Sequence, residues 1–262
     1  MPFNTSFITI PLEGLIWKML PDETGKYLLI EYRNDTRRKV DFLCVDMKTK
    51  KILWQKTSLK ELWWLGLKET TEGKIIIHGY KNSKSPEHKG IYVIDLFSGK
   101  LLWENKDLTH VSSHPGYILA ANDDPDKPAL FKMDIQSGEL IQTTEPGSEK
   151  NFSVPDYKLP VLYTAESNHF MTIATFISQQ LQMLSDLAIE YLEHHSYIII
   201  SFYTSEQNAV DNYIAVFDVE GNLLLQEKIG TGLKGIGQDT FFIYGSNLVY
   251  VKNKSELVIR EI

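Results

Sequence analysis

The chain has 262 residues, 43% of them hydrophobic and 23% charged, with a formal net charge of −7. An acidic chain repels a phosphate backbone on average, so nucleic acid is not expected as a partner. Cys44 is the only cysteine, which excludes an intrachain disulfide and a thiolate metal cluster; it reads as a small buried hydrophobe in a strand.

The N-terminal stretch MPFNTSFITIPLEGLIW lacks the basic start and unbroken apolar run of an export signal, and a cytoplasmic location is expected. The longest apolar runs, such as YIIISFY at 197–203, fall well short of the ~20 residues that span a bilayer, so no membrane insertion is expected.

From residue 15 the chain repeats itself. LIWKML, the turn PDETG and YLLIEY lead to FLCVDMKTKKILWQK at 42–56. LWWLGLKE, the turn TTEG and KIIIHGY lead to IYVIDLFSGKLLWEN at 91–105, and related strings recur at 130–144 (LFKMDIQSGELIQTT) and 214–228 (IAVFDVEGNLLLQEK). Each is a hairpin in which an aspartate opens the turn by accepting amide hydrogen bonds and a glycine takes positive φ. Gly99 and Gly138 fit a type I turn closed by a bulge glycine. Lys50 stands where that glycine would be, a strained turn by ~1 kcal/mol, and Gly221 comes one residue early, predicting a tighter hairpin.

Asp46, Asp95, Asp134 and Asp218 lie 49, 39 and 84 residues apart, the last being two periods. Units of 40 to 50 residues with several strands each, apolar on both faces, predict a β-propeller. The expected fold is all-β, a single β-propeller domain over residues 1–262 with six four-stranded blades at 15–56, 62–106, 108–144, 151–184, 187–228 and 232–262. The fourth blade is ambiguous between strands and a short helical insertion around 178–192, because Ile177, Leu181, Leu184, Ala188 and Tyr191 also form a helical stripe. SFITI at 6–10 is expected to pair with the last blade, which shows only three clear strands of its own.

The string from Asp95 to Trp103, D-x-x-S-G-x-x-L-W, resembles the repeat of pyrroloquinoline-quinone (PQQ) dehydrogenases and their non-catalytic relatives; Asp46 to Trp54 matches it without the glycine. The resemblance implies that Trp54 and Trp103 pack between adjacent blades. It does not carry the quinone site over, since the vicinal cysteine pair of those enzymes has no counterpart here. No cofactor is expected, and the chain looks more like the uncharacterised or scaffold members.

Motifs that look chemical each have a plainer reading. GTGLKGIG at 230–237 satisfies G-x-G-x-x-G, but strands follow it where a dinucleotide site needs a helix. NDDPDKP at 122–128 gathers Asp123, Asp124 and Asp126, only part of a calcium loop, and reads as a turn. His110 and His114 lie in strand and turn context without a third ligand, so no metal site is assigned. His194 and His195 read as exposed turn residues.

Trp17, Trp63, Trp64 and Tyr191 fall on the strands expected to line a central channel, with Trp63 and Trp64 facing opposite ways by strand alternation. Long polar loops at 33–39, 81–90, 122–127 and 204–212 are expected on one rim, offering Arg37, His88 and Asp124. The function this supports is a non-catalytic scaffold that binds a protein or small polar ligand at a channel mouth. The alternative is a hydrolase or lyase acting on a small polar substrate in the channel, with or without a metal.

Overall fold

The computed structural model describes residues 6–56, 59–141, 157–206 and 209–262, and their elements are almost entirely antiparallel strands. Residues 142–144 of the third expected unit, 151–156 of the fourth and 207–208 of the last rim loop lie outside the described residues. The chain divides into two compact units, one of residues 13–155 and one of residues 1–12 with 156–262. No helix among the described residues is long and apolar enough to cross a membrane.

The 13–155 unit holds three sheets. A first strand of the chain, β1 (Phe7–Pro11), precedes it; β2 (Leu15–Pro21), β3 (Tyr27–Asn34), β4 (Lys39–Asp46) and β5 (Lys51–Gln55) then make a four-stranded meander. A second meander follows from β6 (Leu65–Thr71), β7 (Lys74–Asn82), β8 (Ser85–Asp95) and β9 (Leu101–Asn105). In the third, β10 (Thr109–His114), β11 (Tyr117–Ala121) and β12 (Leu130–Asp134) are joined by a single bridge from Met133 to Leu140, where the fourth strand was expected.

These sheets stack, which explains strands that are apolar on both faces. Ile75 and Ile77 of β7 pack with Leu29, Phe42 and Cys44 of the first sheet, while Ile76 between them packs with Ile118 and Met133 of the third. Alternation sends neighbouring side chains to opposite faces, and here each face meets another sheet.

The hairpin chemistry follows the sequence closely. Asp95 Oδ1 accepts from the Ser98 amide at 2.8 Å and Asp134 Oδ1 from the Ser137 amide at 2.7 Å. In both copies the glycine amide donates four residues back to the aspartate carbonyl, whereas Gly221 donates only three residues back to Asp218, the tighter turn expected. Lys50 does adopt positive φ, +56°.

Trp54 and Trp103 connect sheet to sheet. Trp54 Nε1 donates to the Leu96 carbonyl at 2.7 Å and Trp103 Nε1 to the Ile135 carbonyl at 3.0 Å, in each case the residue after the next repeat's aspartate. Each indole also covers the next repeat's turn glycine so closely that a Cβ at Gly99 or Gly138 would lie 2.6 Å from it. Those two glycines are thus required both by φ and by the ring above them.

The other unit holds two five-stranded sheets. One runs β14 (Val161–Thr164), β15 (Ala188–His194), β16 (Tyr197–Glu206), β17 (Ala209–Asp218) and β18 (Leu223–Leu233). The second has the order β1, β21 (Glu256–Glu261), β20 (Asn247–Lys252), β19 (Phe241–Tyr244) and β13 (Tyr157–Lys158). Ile199, Ile214 and Val216 pack against Phe241, Ile243 and Tyr250 between them. The N-terminal strand pairs with β21 as expected, from Phe7 opposite Arg260 to Pro11 opposite Glu256.

Residues 151–184 depart from the expected four-stranded blade. Their described part gives one short strand to each of the two sheets and a helix, α1 (Phe170–Leu181), so the described residues form five sheets. The helix lies earlier than 178–192. Gln182 turns left-handed and ends it, while Ala188 and Tyr191 belong to β15, where Tyr191 pairs with Ile200. The local stripe loses to the sheet because β16 offers β15 a full ladder, and Phe170 and Ile177 instead cover Ile200, Phe202 and Phe217.

Candidate functional site

The first strands of the three sheets in the 13–155 unit are edge strands, and each carries a one-residue bulge. The register slips at Trp17 in β2, Lys68 in β6 and Val111 in β10. A bulge re-aims the extra residue, and Trp17 is left 67% exposed as a result.

The edge backbone of β6 and the residues before it is satisfied by charged side chains of the neighbouring sheet. Buried Glu31 accepts from the Leu67 amide at 2.8 Å, and Lys18 donates to the Leu67 carbonyl at 2.8 Å. Arg33 donates to the carbonyls of Trp63, at 3.1 Å, and Leu65, and is paired with Glu31 at 2.6 Å. Glu190 does the equivalent in the other unit, accepting from the amides of Asp239 and Thr240. Charged residues that end edge pairing are a general device; here they also join two sheets.

Arg33 so fixed lies 5.4 Å from the ring centres of both Trp17 and Trp63, and Arg38 lies 4.5 Å over Trp63. The result is a cluster of two indoles and two guanidiniums in which Arg33 touches both rings and exposed Arg38 touches Trp63. Trp64 stands edge-on to Tyr80 at 6.2 Å. Together with Leu15, Asp35 and residues 83–86 these side chains line an open cleft of about 600 Å³.

Trp63 and Trp64 share this cleft instead of facing opposite ways. They precede β6, so strand alternation does not govern them. The carboxylate of Glu61 accepts from the successive amides of Leu62, Trp63 and Trp64 at 2.9, 2.8 and 3.0 Å and curls the backbone around one oxygen. Burial raises the Glu61 pKa, but these amides outweigh it and hold the carboxyl below its usual range. Glu61 just before the Trp pair is the signal in the sequence that could have placed both rings on one side.

Behind the aromatic wall, His78 stacks on His88 at 3.6 Å, and Tyr80 stands edge-on to both. His78 is buried with both ring nitrogens unpartnered among the described residues, and Gly66 leaves it room, since a Cβ there would lie 2.7 Å from its ring. Burial, followed by the positive neighbours His88, Lys18, Lys68 and Arg33, pushes the His78 pKa down to about 3. Between that value and the ordinary one near 6.5 the unfolded chain takes up a proton that the folded chain refuses. The contribution of neutral His78 is therefore complete above pH 6.5 and is lost as pH falls toward 3, with a limiting slope of ~1.4 kcal/mol per pH unit. Denaturant unfolding at pH 6.5 and 5 should show this loss in the wild type and a shallower one in His78→Gln. Parallel profiles would show that this imidazole does not govern acid sensitivity.

The remaining expected site residues lie elsewhere. Arg37 pairs with Glu13 at 2.9 Å beside the cleft, and Asp124 accepts from the amides of Asp126 and Lys127 in its turn. Asp123 pairs with Lys81 at 2.9 Å. Tyr191 belongs to the other unit, where its hydroxyl donates to Glu193 and its ring packs on the helix side of the sheet. His194 is buried, contrary to the exposed turn residue expected, because it closes the β15 ladder opposite Tyr197; His195 is exposed. The glycines of 230–237 lead from β18 toward β19, with the Gly232 amide on Asp211 and the Gly237 amide on the Tyr203 hydroxyl.

One constellation was invisible in the sequence. Ser113, His110 and Glu69 meet across two sheets: His110 Nε2 is 3.0 Å from both Ser113 Oγ and Glu69 Oε1, and Ser113 donates to Glu69 directly. A proton relay needs acid and hydroxyl on opposite ring nitrogens. Here both sit on Nε2, so the trio serves as a link between β6 and β10.

The profile of a family described as a domain of unknown function, DUF4905, matches residues 21–103. No curated protein sequence matches the chain. Among solved structures, the chain is similar to a member of the DUF4221 family from Bacteroides vulgatus, at 10% identity and a TM-score of 0.35 over 98% of this chain and 96% of that one. It is also similar to the β-propeller domain of the Trilobed protease from Pyrococcus furiosus and to a bifunctional GH43-CE from Bacteroides eggerthii. Both are 12% identical with TM-scores of 0.31, over 92% and 91% of this chain and 63% and 31% of theirs.

Proposed function

We propose that the chain is a non-catalytic binding protein: a single-domain β-propeller of the PQQ-type repeat, six units by sequence count, that takes a small polar ligand between Trp17, Trp63, Trp64 and Tyr80. Support for the repeat comes from Trp54 and Trp103, each seated on the next unit's turn glycine or carbonyl. The observation that carries the binding reading is the cleft itself. Its volume of about 600 Å³ is that of a small-molecule site, and the backbone of its Trp63–Trp64 wall is held by hydrogen bonds to Arg33 and Glu61.

A panel of small polar compounds, followed by tryptophan fluorescence, tests this. Trp64→Ala should weaken a hit by ~10-fold or more, as loss of an aromatic anchor does, whereas Arg37→Ala, an exposed rim charge, should change it little. Hits indifferent to both Trp17→Ala and Trp64→Ala in folded protein would move the site elsewhere. Turnover of a hit, or micromolar binding of pyrroloquinoline quinone by calorimetry, would overturn the non-catalytic part.

A further inference from the structure

The charged groups of the cleft are not equally available. Arg33 is committed to Glu31 and two backbone carbonyls, so all three of its side-chain nitrogens are already engaged. Arg38 and Lys84 have no ion pair among the described residues, and against them the cleft sets one carboxylate, Asp35. The cleft therefore carries surplus positive charge in a chain whose net charge is −7.

The setting of Arg38 makes that charge directional. Its guanidinium carbon lies 4.5 Å from the centre of the Trp63 ring, a cation–π contact that holds the group at the cleft, and no ion pair among the described residues uses its fork of N–H donors. Such a fork matches the two oxygens of a carboxylate or phosphate. Trp63 already carries guanidinium contacts from both Arg33 and Arg38, so the rings left for a ligand are Trp17 and Trp64. Lys18 and Lys68 behind the wall add positive potential, opposed by Glu31 and Glu69.

Resting on the binding reading above, we infer that the cleft selects a small organic anion, a carboxylate or phosphate on a molecule whose ring face can stack on an indole, with Arg38 and Lys84 on the anion and Trp17 and Trp64 on the ring. Both a sugar acid and a nucleotide present that chemistry.

Calorimetry with the full chain separates the sources using guanosine monophosphate and a uronic-acid disaccharide, each against its uncharged counterpart, guanosine and a neutral disaccharide. One anion of the two pairs should bind below ~1 mM and its neutral counterpart at least ~10-fold more weakly, and that preference should vanish in Arg38→Gln and shrink in Lys84→Gln. Melting temperatures confirm that both variants are folded. Anion and neutral binding equally, or a preference untouched by Arg38→Gln, overturns the inference. Neutral compounds that bind and are lost in Trp64→Ala would leave the cleft standing and sink only its anion selectivity. No binding of any of the four overturns the inference as stated.

Discussion

Alanine at Trp103 is expected to destabilise the chain by ~3 to 5 kcal/mol, the range of large aromatic truncations in packed interiors. The indole packs with Ile76, Val93, Ile118 and Met133 where the second and third sheets meet, and its Nε1 donates to the Ile135 carbonyl. Truncation opens a cavity and removes the donor in one step, and the turn glycine beneath loses its cover. Gly138→Val attacks the same contact from the other side, combining a φ of +74° with a Cβ 2.6 Å from the ring. Denaturant unfolding measures both. A near-neutral Trp103→Ala, with an indole readily quenched by acrylamide, would mean that this contact does not hold the two sheets together.

Removing residues 1–12 should cost on the order of 3 to 6 kcal/mol, judged from two buried apolar side chains and a five-residue ladder. Ile10 and Leu12 are buried, Arg260 covers the Phe7 ring at 4.3 Å, and the Leu12 amide donates to the Ser255 carbonyl at 2.9 Å. Deletion strips β1 from β21 and leaves the backbone of 256–260 as an open edge. Open apolar edges pair with other chains, so the truncated protein should both melt markedly earlier and self-associate on a sizing column. Full stability in a monomeric truncated protein would show that β1 docks without holding the sheet.

How far the site could be read in advance differs residue by residue. Trp17 was placed on the right strand, but its exposure depends on a bulge, and nothing local marks where a register slips by one. Glu31 reads as a strand residue and Arg33 as part of the polar loop at 33–39, and their role exists only because β6 and the residues before it bring carbonyls and an amide within reach of them. His78 carries no motif; its lowered pKa arises first from burial and then from basic groups contributed by β2, β3, β6 and β8.

The sequence by itself determined the hairpins, their aspartate and glycine chemistry and the both-faced apolar strands. Each of these depends on residues a few positions apart, where φ, turn hydrogen bonds and alternation act without reference to the rest of the chain. Only the tertiary structure decided the fate of residues 161–191, where a helical stripe and a strand were both locally acceptable and the ladder offered by β16 chose between them. It also brought Trp17, Trp63, Trp64, Arg33 and Arg38 to one cleft from elements up to 47 residues apart. Pairings over that distance depend on which edges and faces the folded sheets leave available, a quantity no local window of residues contains.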